Sequence, residues 1–391
     1  MSASTEKKLR AQAKAAGTDK KSIAAAEEAK KKAKTNRRIF WACFGVAVFI
    51  ILVLVLNSNL LYRNTTAVTV GSRSFSPAQM SYEYASKYSN FYSSYGSYAS
   101  LFGLDTSYGL SGLSSQECSM GENMTWKDYF IQQAEASLQQ LVALADYAEA
   151  NGITLTEDEL AELEENYESL EEYAVTYGYA DGDRFLAANY GKGVNIAVAR
   201  TMDTLSSLAS KAYTAYVDSL EITDEEVAEA YPSVAVRHIL IKAEADENDE
   251  YTDEALAAAK EKAEEILAQW QEGDATEESF AALAEEYSED EGSNTNGGLY
   301  ENILEGNTVE EFNAFCFEED HDSGDTAIVY GDNGSYAGYH VMYFVGEGDP
   351  ATNETGRSYI ESEKATAWLE ELIEGIEVKE SFFMRLVGKT V

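Results

Sequence analysis

The chain holds 391 residues, room for two or three domains at roughly 100–200 residues each, and its net charge of −40 is unevenly spread. Residues 1–38 carry 12 Lys/Arg against 4 Asp/Glu, a net +8, whereas the remainder carries 17 against 65, a net −48. The cysteines Cys43, Cys118 and Cys316 show no disulfide framework, and no C-x₂-C or H-x₃-H spacing occurs, so neither a disulfide scaffold nor a zinc module organises the sequence.

The Ala/Lys-rich residues 1–38 have no sustained apolar stripe and read as a disordered or surface-helical cytoplasmic tail. Residues 39–56 contain no charge, and the apolar run extended to Tyr62 reaches 24 residues, where a bilayer core needs about 20 in a helix. Trp41 and Tyr62 stand near its two ends, as interfacial aromatic rings do, and Lys30, Lys31, Lys32, Lys34, Arg37 and Arg38 precede it. The positive-inside rule therefore predicts a single-pass transmembrane helix over 39–62, its N-terminus cytoplasmic and everything after it extracytoplasmic. A cleaved signal peptide fits less well. The charged leader is long, the apolar core exceeds the usual 7–15 residues of a signal, and no convincing small-x-small site follows.

Beyond the span, residues 67–75 read as a short strand and turn leading into a helix. Residues 82–112 gather tyrosines among Ser and Gly, either a loosely packed helix and loop or an aromatic surface that grips unfolded chains. Apolar residues recur at helical spacing over 126–151, and capping boxes at Thr156 and Thr223 open further helices before Pro232 breaks the pattern. A strand is predicted at 234–241, helices at 252–271, 277–287 and 309–317, and a closing strand at 338–345. Cys316 reads as a small core residue and His321 as a solvated loop residue. After Pro350 an amphipathic helix carrying Tyr359, Ile360, Trp368, Leu369 and Leu372 ends the chain.

Four pieces in order between Ala235 and Gly346 then resemble the parvulin family of peptidyl-prolyl isomerases. They are Val236-Arg-His-Ile-Leu-Ile241, the block from Phe280 to Ser288 and Asp290, Asn296-Gly-Gly-Leu299, and Ala337-Gly-Tyr-His-Val341. The wider layout is similar to PrsA- and SurA-type extracytoplasmic foldases. The resemblance implies an α+β fold: a parvulin domain, a small antiparallel sheet with helices, inserted in an all-α chaperone-like domain and preceded by one transmembrane helix. The expected divisions are 1–38 tail, 39–62 span, 63–232 helical domain, 233–350 parvulin domain, and a C-terminal helix over 351–391 that packs on the helical domain.

Position by position, the resemblance assigns His238, Asp290 and His340 to catalysis. It assigns Leu299, Val309 and Phe312 to the proline pocket, and Ser335 to the hydroxyl that orients the histidines. The implied activity is cis/trans isomerisation of X–Pro bonds in exported proteins, coupled to chaperone holding. Rotating that bond breaks amide resonance against a barrier of about 18–20 kcal/mol. No bond is made, so no cofactor or metal is expected. The alternative, a non-catalytic chaperone with a degenerate parvulin binding module, draws on Gly298-Leu299-Tyr300, which lacks the family's Asp and second Gly. The expected partners are unfolded or newly exported polypeptides and the lipid bilayer, with no nucleic acid; a homodimer is left open.

Overall fold

The basic tail and the apolar run form helices α1 (Ala3–Ala15) and α2 (Lys20–Asn57) in the computed structural model, which describes residues 3–247, 250–318 and 321–390. Among the described residues one helix is long and apolar enough to cross a bilayer, and its side chains from Ile39 to Leu54 lie exposed. At 1.5 Å per residue, 18 apolar residues span about 27 Å, close to a hydrocarbon core. The expected end at Tyr62 is corrected: α2 stops at Asn57, and α3 (Leu60–Asn64) starts a new direction. Tyr62 is not an interfacial ring. It is buried in a cluster with Ala78, Tyr167, Leu186 and Val194.

The chain divides into two compact units, residues 1–212 with 373–391 and residues 213–372, so the second is inserted in the sequence of the first. In the first, β1 (Val68–Val70) and β2 (Arg73–Phe75) form a hairpin that leads into α4 (Pro77–Tyr95). The Ser76 hydroxyl accepts from the Gln79 N–H, while the Gln79 side chain accepts from the Ser76 N–H, which fixes the start of α4. The short α5 (Gly109–Gly112) precedes α6 (Trp126–Ala150), α7 (Glu157–Thr176), α8 (Gly182–Tyr190) and α9 (Ile196–Val217), whose last turn, from Tyr213, belongs to the second unit. Trp126, Phe130, Ala134 and Leu138 recur at helical spacing on α6 and meet Met80, Tyr84 and Met202 in the core. The tyrosine-rich stretch is divided by this packing: Tyr84 is fully buried, whereas Tyr92, Tyr95, Tyr98 and Tyr108 are exposed.

The second unit takes in α10 (Asp224–Ala230), then β3 (Ser233–Lys242), α11 (Asp253–Glu272), α12 (Glu277–Tyr287), β4 (Leu299–Leu304), α13 (Glu310–Cys316), β5 (Thr326–Asp332), β6 (Ala337–Glu347) and α14 (Glu354–Ile373). Its sheet is antiparallel throughout, in the order β4-β3-β6-β5. Period-2 alternation assigns the faces. Ile239, Ile241, Val341 and Tyr343 meet Ala263, Ile266, Trp270 and Phe280 of α11 and α12. Val236, Met342 and Phe344 meet Phe312, Phe315 and Cys316 of α13. His321 departs from the solvated reading: it bonds the Phe315 carbonyl at 2.7 Å and stacks on Phe344.

The divisions at 212 and 373 differ from the boundaries expected at 232 and 351. The reason lies in the contacts of α14. Trp368 stacks on Tyr216 with ring centroids 3.8 Å apart, Lys364 pairs with Glu226 at 2.7 Å, and Arg357 pairs with Asp224 at 2.6 Å. Nor is 351–391 one helix. After α14 the chain forms β7 (Val378–Glu380), which pairs antiparallel with β1 and closes a three-stranded sheet in the first unit.

Candidate active site

His238 on β3 and His340 on β6 stand on adjacent central strands and point to the same sheet face, since each sits in phase with Val236, Met342 and Phe344. Both imidazoles are buried, each 3 % exposed, and their Nδ1 atoms lie 2.9 Å apart. His238 Nε2 reaches Asp290 Oδ2 at 3.0 Å and Ser293 Oγ at 3.1 Å. Tyr336 OH meets His340 Nε2 at 2.9 Å. The partners set the tautomers. Asp290 is held well below the usual carboxylate range, first by its hydrogen bond to His238 and further by Ser293 and Tyr300, so it only accepts.

His238 Nε2–H therefore donates to Asp290, which leaves its Nδ1 to accept from His340 Nδ1–H, and His340 Nε2 to accept from the Tyr336 hydroxyl. Every donor in this series points towards Asp290. Burial, and the His238 ring beside it, push the His340 pKa down to about 3, so its neutral form persists through the physiological range. Burial and the Asp290 charge push the Tyr300 phenol up to about 12, so it stays a donor to Asp290 Oδ2 at 3.0 Å.

The loop that delivers Asp290 is tied to the strand that delivers His238. Ser288 Oγ accepts from Leu240 N at 3.1 Å, Glu289 N donates to Leu240 O at 2.9 Å, and Gly298 O accepts from His238 N at 2.9 Å. Arg237, whose side chain lies on the opposite face, donates to the Asn296 and Gly297 carbonyls and pairs with Glu277 at 2.9 Å. Above the histidines lies a cavity of about 510 Å³ walled by Tyr300, Ile303, Val309 and Phe312, with His238, His340, Asp290 and Tyr336 at its floor and rim. Phe312 stands edge-on to both imidazoles at 5.3 and 5.2 Å. Thr308 also lines the cavity, and its buried hydroxyl has no hydrogen-bond partner among the described residues. A bound chain could supply one.

The structure brings together His238, Asp290, His340, Val309 and Phe312. Leu299 and Ser335 stand apart. Leu299 pairs with Arg237 across β3 and β4, so strand alternation turns its neighbour Tyr300, not Leu299 itself, towards the cavity. Ser335 sits exposed in the turn before β6 and accepts only through its carbonyl, from Tyr251 OH at 3.5 Å. The hydroxyl on His340 is that of Tyr336. Sequence reasoning missed Tyr300, Tyr336 and Ser293. Tyr300 alone carried a signal, as the second residue of a strand that opens directly after the Gly-Gly pair.

Residues 221–343 match the family described as the PPIC-type PPIase domain, and this match spans β3, the Asp290 loop and the histidine pair. The inserted unit is a parvulin-type peptidyl-prolyl isomerase domain. No curated protein matches the chain. Among solved structures, the chain is similar to the peptidylprolyl isomerase PrsA of Bacillus anthracis, at 20% identity over 61% of this chain and 94% of that one, with a TM-score of 0.23. It is also similar to the foldase PrsA of Lactococcus lactis, at 14% identity over 83% and 98%, TM-score 0.33. A third is a SurA-like chaperone of Campylobacter jejuni, at 18% identity over 79% and 94%, TM-score 0.23.

Proposed function

We propose that the chain is a membrane-anchored extracytoplasmic foldase whose parvulin domain isomerises X–Pro bonds while the first unit holds the client. The observation that carries this reading is the series Tyr336–His340–His238–Asp290 on the floor of an apolar cleft. A proline ring seated against Val309 and Phe312 would lie over directionally ordered imidazoles, away from bulk water. The twisted amide has lost its resonance, and its carbonyl carries less charge than the planar one. A desolvating pocket that binds the twisted form better than the planar forms lowers the barrier without proton transfer. The exposed Tyr92, Tyr95, Tyr98, Leu101 and Tyr108 support holding, since they offer apolar area with polar tips.

Charge narrows the substrate. Residues 213–372 contain 6 Lys/Arg against 42 Asp/Glu, a net −36, and Asp290 is itself ionised in the cleft. A phosphate or a carboxylate before the proline would be repelled there. The kcat/KM for Lys-Pro and Ala-Pro peptides should exceed that for phosphoserine-Pro by at least about tenfold, a gap of about 1.4 kcal/mol. A preference for the phosphorylated peptide would overturn this reading of the cleft.

The charge step from +8 to −48 across α2 supports anchoring with the N-terminus inside. Protease added outside intact cells should remove both folded units and leave a small fragment that retains the tail and α2. Soluble full-length protein released into the medium without protease would contradict the anchor.

A further inference from the structure

A second cavity of about 520 Å³, slightly larger than the catalytic cleft, opens in the same unit at the other end of β3 and β4. Its walls are the rings of Tyr231, Tyr359 and Phe317 with Pro232, Val234 and Leu304. The aromatic wall is held in place before anything binds. Tyr231 and Tyr359 pack with centroids 5.2 Å apart, Tyr231 OH donates to Glu363 at 2.5 Å, and the Asn353 amide donates to the Tyr231 carbonyl at 3.1 Å. A preformed, mostly apolar hollow with a few polar groups at its edge is the kind of surface on which a ligand group docks.

The two cavities are neighbours. Asn307 lines both, Ile303 faces the cleft and the next residue of β4, Leu304, faces the second cavity. On β3 the cleft is marked by His238 and the second cavity by Val234, four residues apart, or about 13 Å along a strand. We propose that the second cavity is a subsite of the parvulin domain that takes an aromatic side chain of the same client, about four residues from the proline in the cleft. This rests on the isomerase reading of that cleft. The walls are rings and prolines, which suit a flat apolar side chain. Among the described residues the charged ones lining it are Glu305 and Glu347, so an acidic neighbour on the client would be disfavoured. Such an anchor binds the planar and twisted forms alike, so it lowers KM and leaves kcat unchanged.

The test is a series of unphosphorylated Ala-Pro peptides carrying one Phe at one to six residues on either side of the proline, turned over by the full chain. The expected result is a KM about tenfold lower than that of the Phe-free reference, at a spacing of three to five residues on one side only. In A230W and A228W, which place a bulky ring into the cavity from the exposed end of α10, the ratio of the two KM values should fall to 1. Having two such variants keeps the test open if one misfolds. Turnover of the reference peptide with no spacing-dependent gain, with a maximum outside that window, or with a gain that survives both substitutions would overturn the subsite alone. No turnover of the reference peptide would overturn the isomerase reading, and the subsite with it.

Discussion

Asp290→Ala should lower kcat/KM for an unphosphorylated X–Pro peptide by about 100-fold, the lower end of the scale on which removal of one preorganised hydrogen-bonding group acts in an active site. Asp290 Oδ2 is the acceptor on which His238 Nε2, Ser293 Oγ and Tyr300 OH converge. Without it His238 loses the charged acceptor that holds its proton on Nε2, and the neutral Ser293 hydroxyl is a weaker one. The order of donors running back through His340 to Tyr336 is then lost. Asp290→Asn, which keeps the shape and one acceptor but not the charge, should fall between wild type and alanine. Folding should survive both substitutions, because the Asp290 side chain is partly open to solvent. Protonation of His340 should leave the wild-type rate unaffected between pH 5 and 8, since His340 stays neutral down to about 3. The same depression makes stability depend on pH. The neutral His340 contributes above its ordinary value of 6.5, and that contribution is lost as pH falls from 6.5 towards 3. Activity unchanged in Asp290→Ala would move the site elsewhere.

The largest effect on stability should come from Gly298→Ala. Gly298 has φ +72°, and a Cβ there would lie 2.2 Å from the His238 carbonyl oxygen and 3.0 Å from Ala284 Cβ. The left-handed conformation costs an L-residue about 1–2 kcal/mol, and overpacking against fixed backbone adds about 1–3 kcal/mol. The clash falls on the carbonyl of the residue that carries the imidazole, so activity should drop together with stability. Gly306→Ala provides the comparison. Its φ is +85° with nothing within 4 Å of the added Cβ, so it should cost only the conformational part. Denaturant unfolding of the two variants reads the difference. Equal stabilities would show that the close approach of Gly298 to β3 does not hold in solution.

Much of the parvulin domain was legible because its two central strands are buried on both faces. Val236, Ile239, Leu240 and Ile241, and later Val341, Met342 and Phe344, form apolar runs long enough to mark strands. The edge strands β4 and β5 escaped notice because each has only half-buried or polar residues on much of its length. The strand β7 is three residues long, and its partner β1 lies some 300 residues earlier, so nothing local announces it. Among the residues that the structure brings to the cleft, Asp290 was singled out through its register with Phe280 and Ser288. That register is real geometry, since Ser288 and Glu289 pin the loop to Leu240. Tyr336 was not found. Whether residue 335 or 336 presents its side chain to His340 depends on how the turn at 332–336 enters β6, and on the hydrogen bonds that the Asp332 and Asn333 side chains accept within it. Tyr62 misled for a similar reason: an aromatic ring at the end of an apolar run suits a membrane interface and a protein core equally well. Only the break after Asn57 distinguishes them.

The most direct measurement of the central claim is cis/trans exchange of an unphosphorylated Ala-Pro peptide, followed by two-dimensional exchange NMR with catalytic amounts of the residues that follow α2. Uncatalysed exchange takes tens of seconds at 25 °C. Wild-type protein should give cis/trans cross-peaks at mixing times of about a second or less, and Asp290→Ala should weaken them markedly. Cross-peaks that never rise above the peptide alone, from a folded protein that still suppresses client aggregation, would contradict it and leave a chaperone whose parvulin domain only binds.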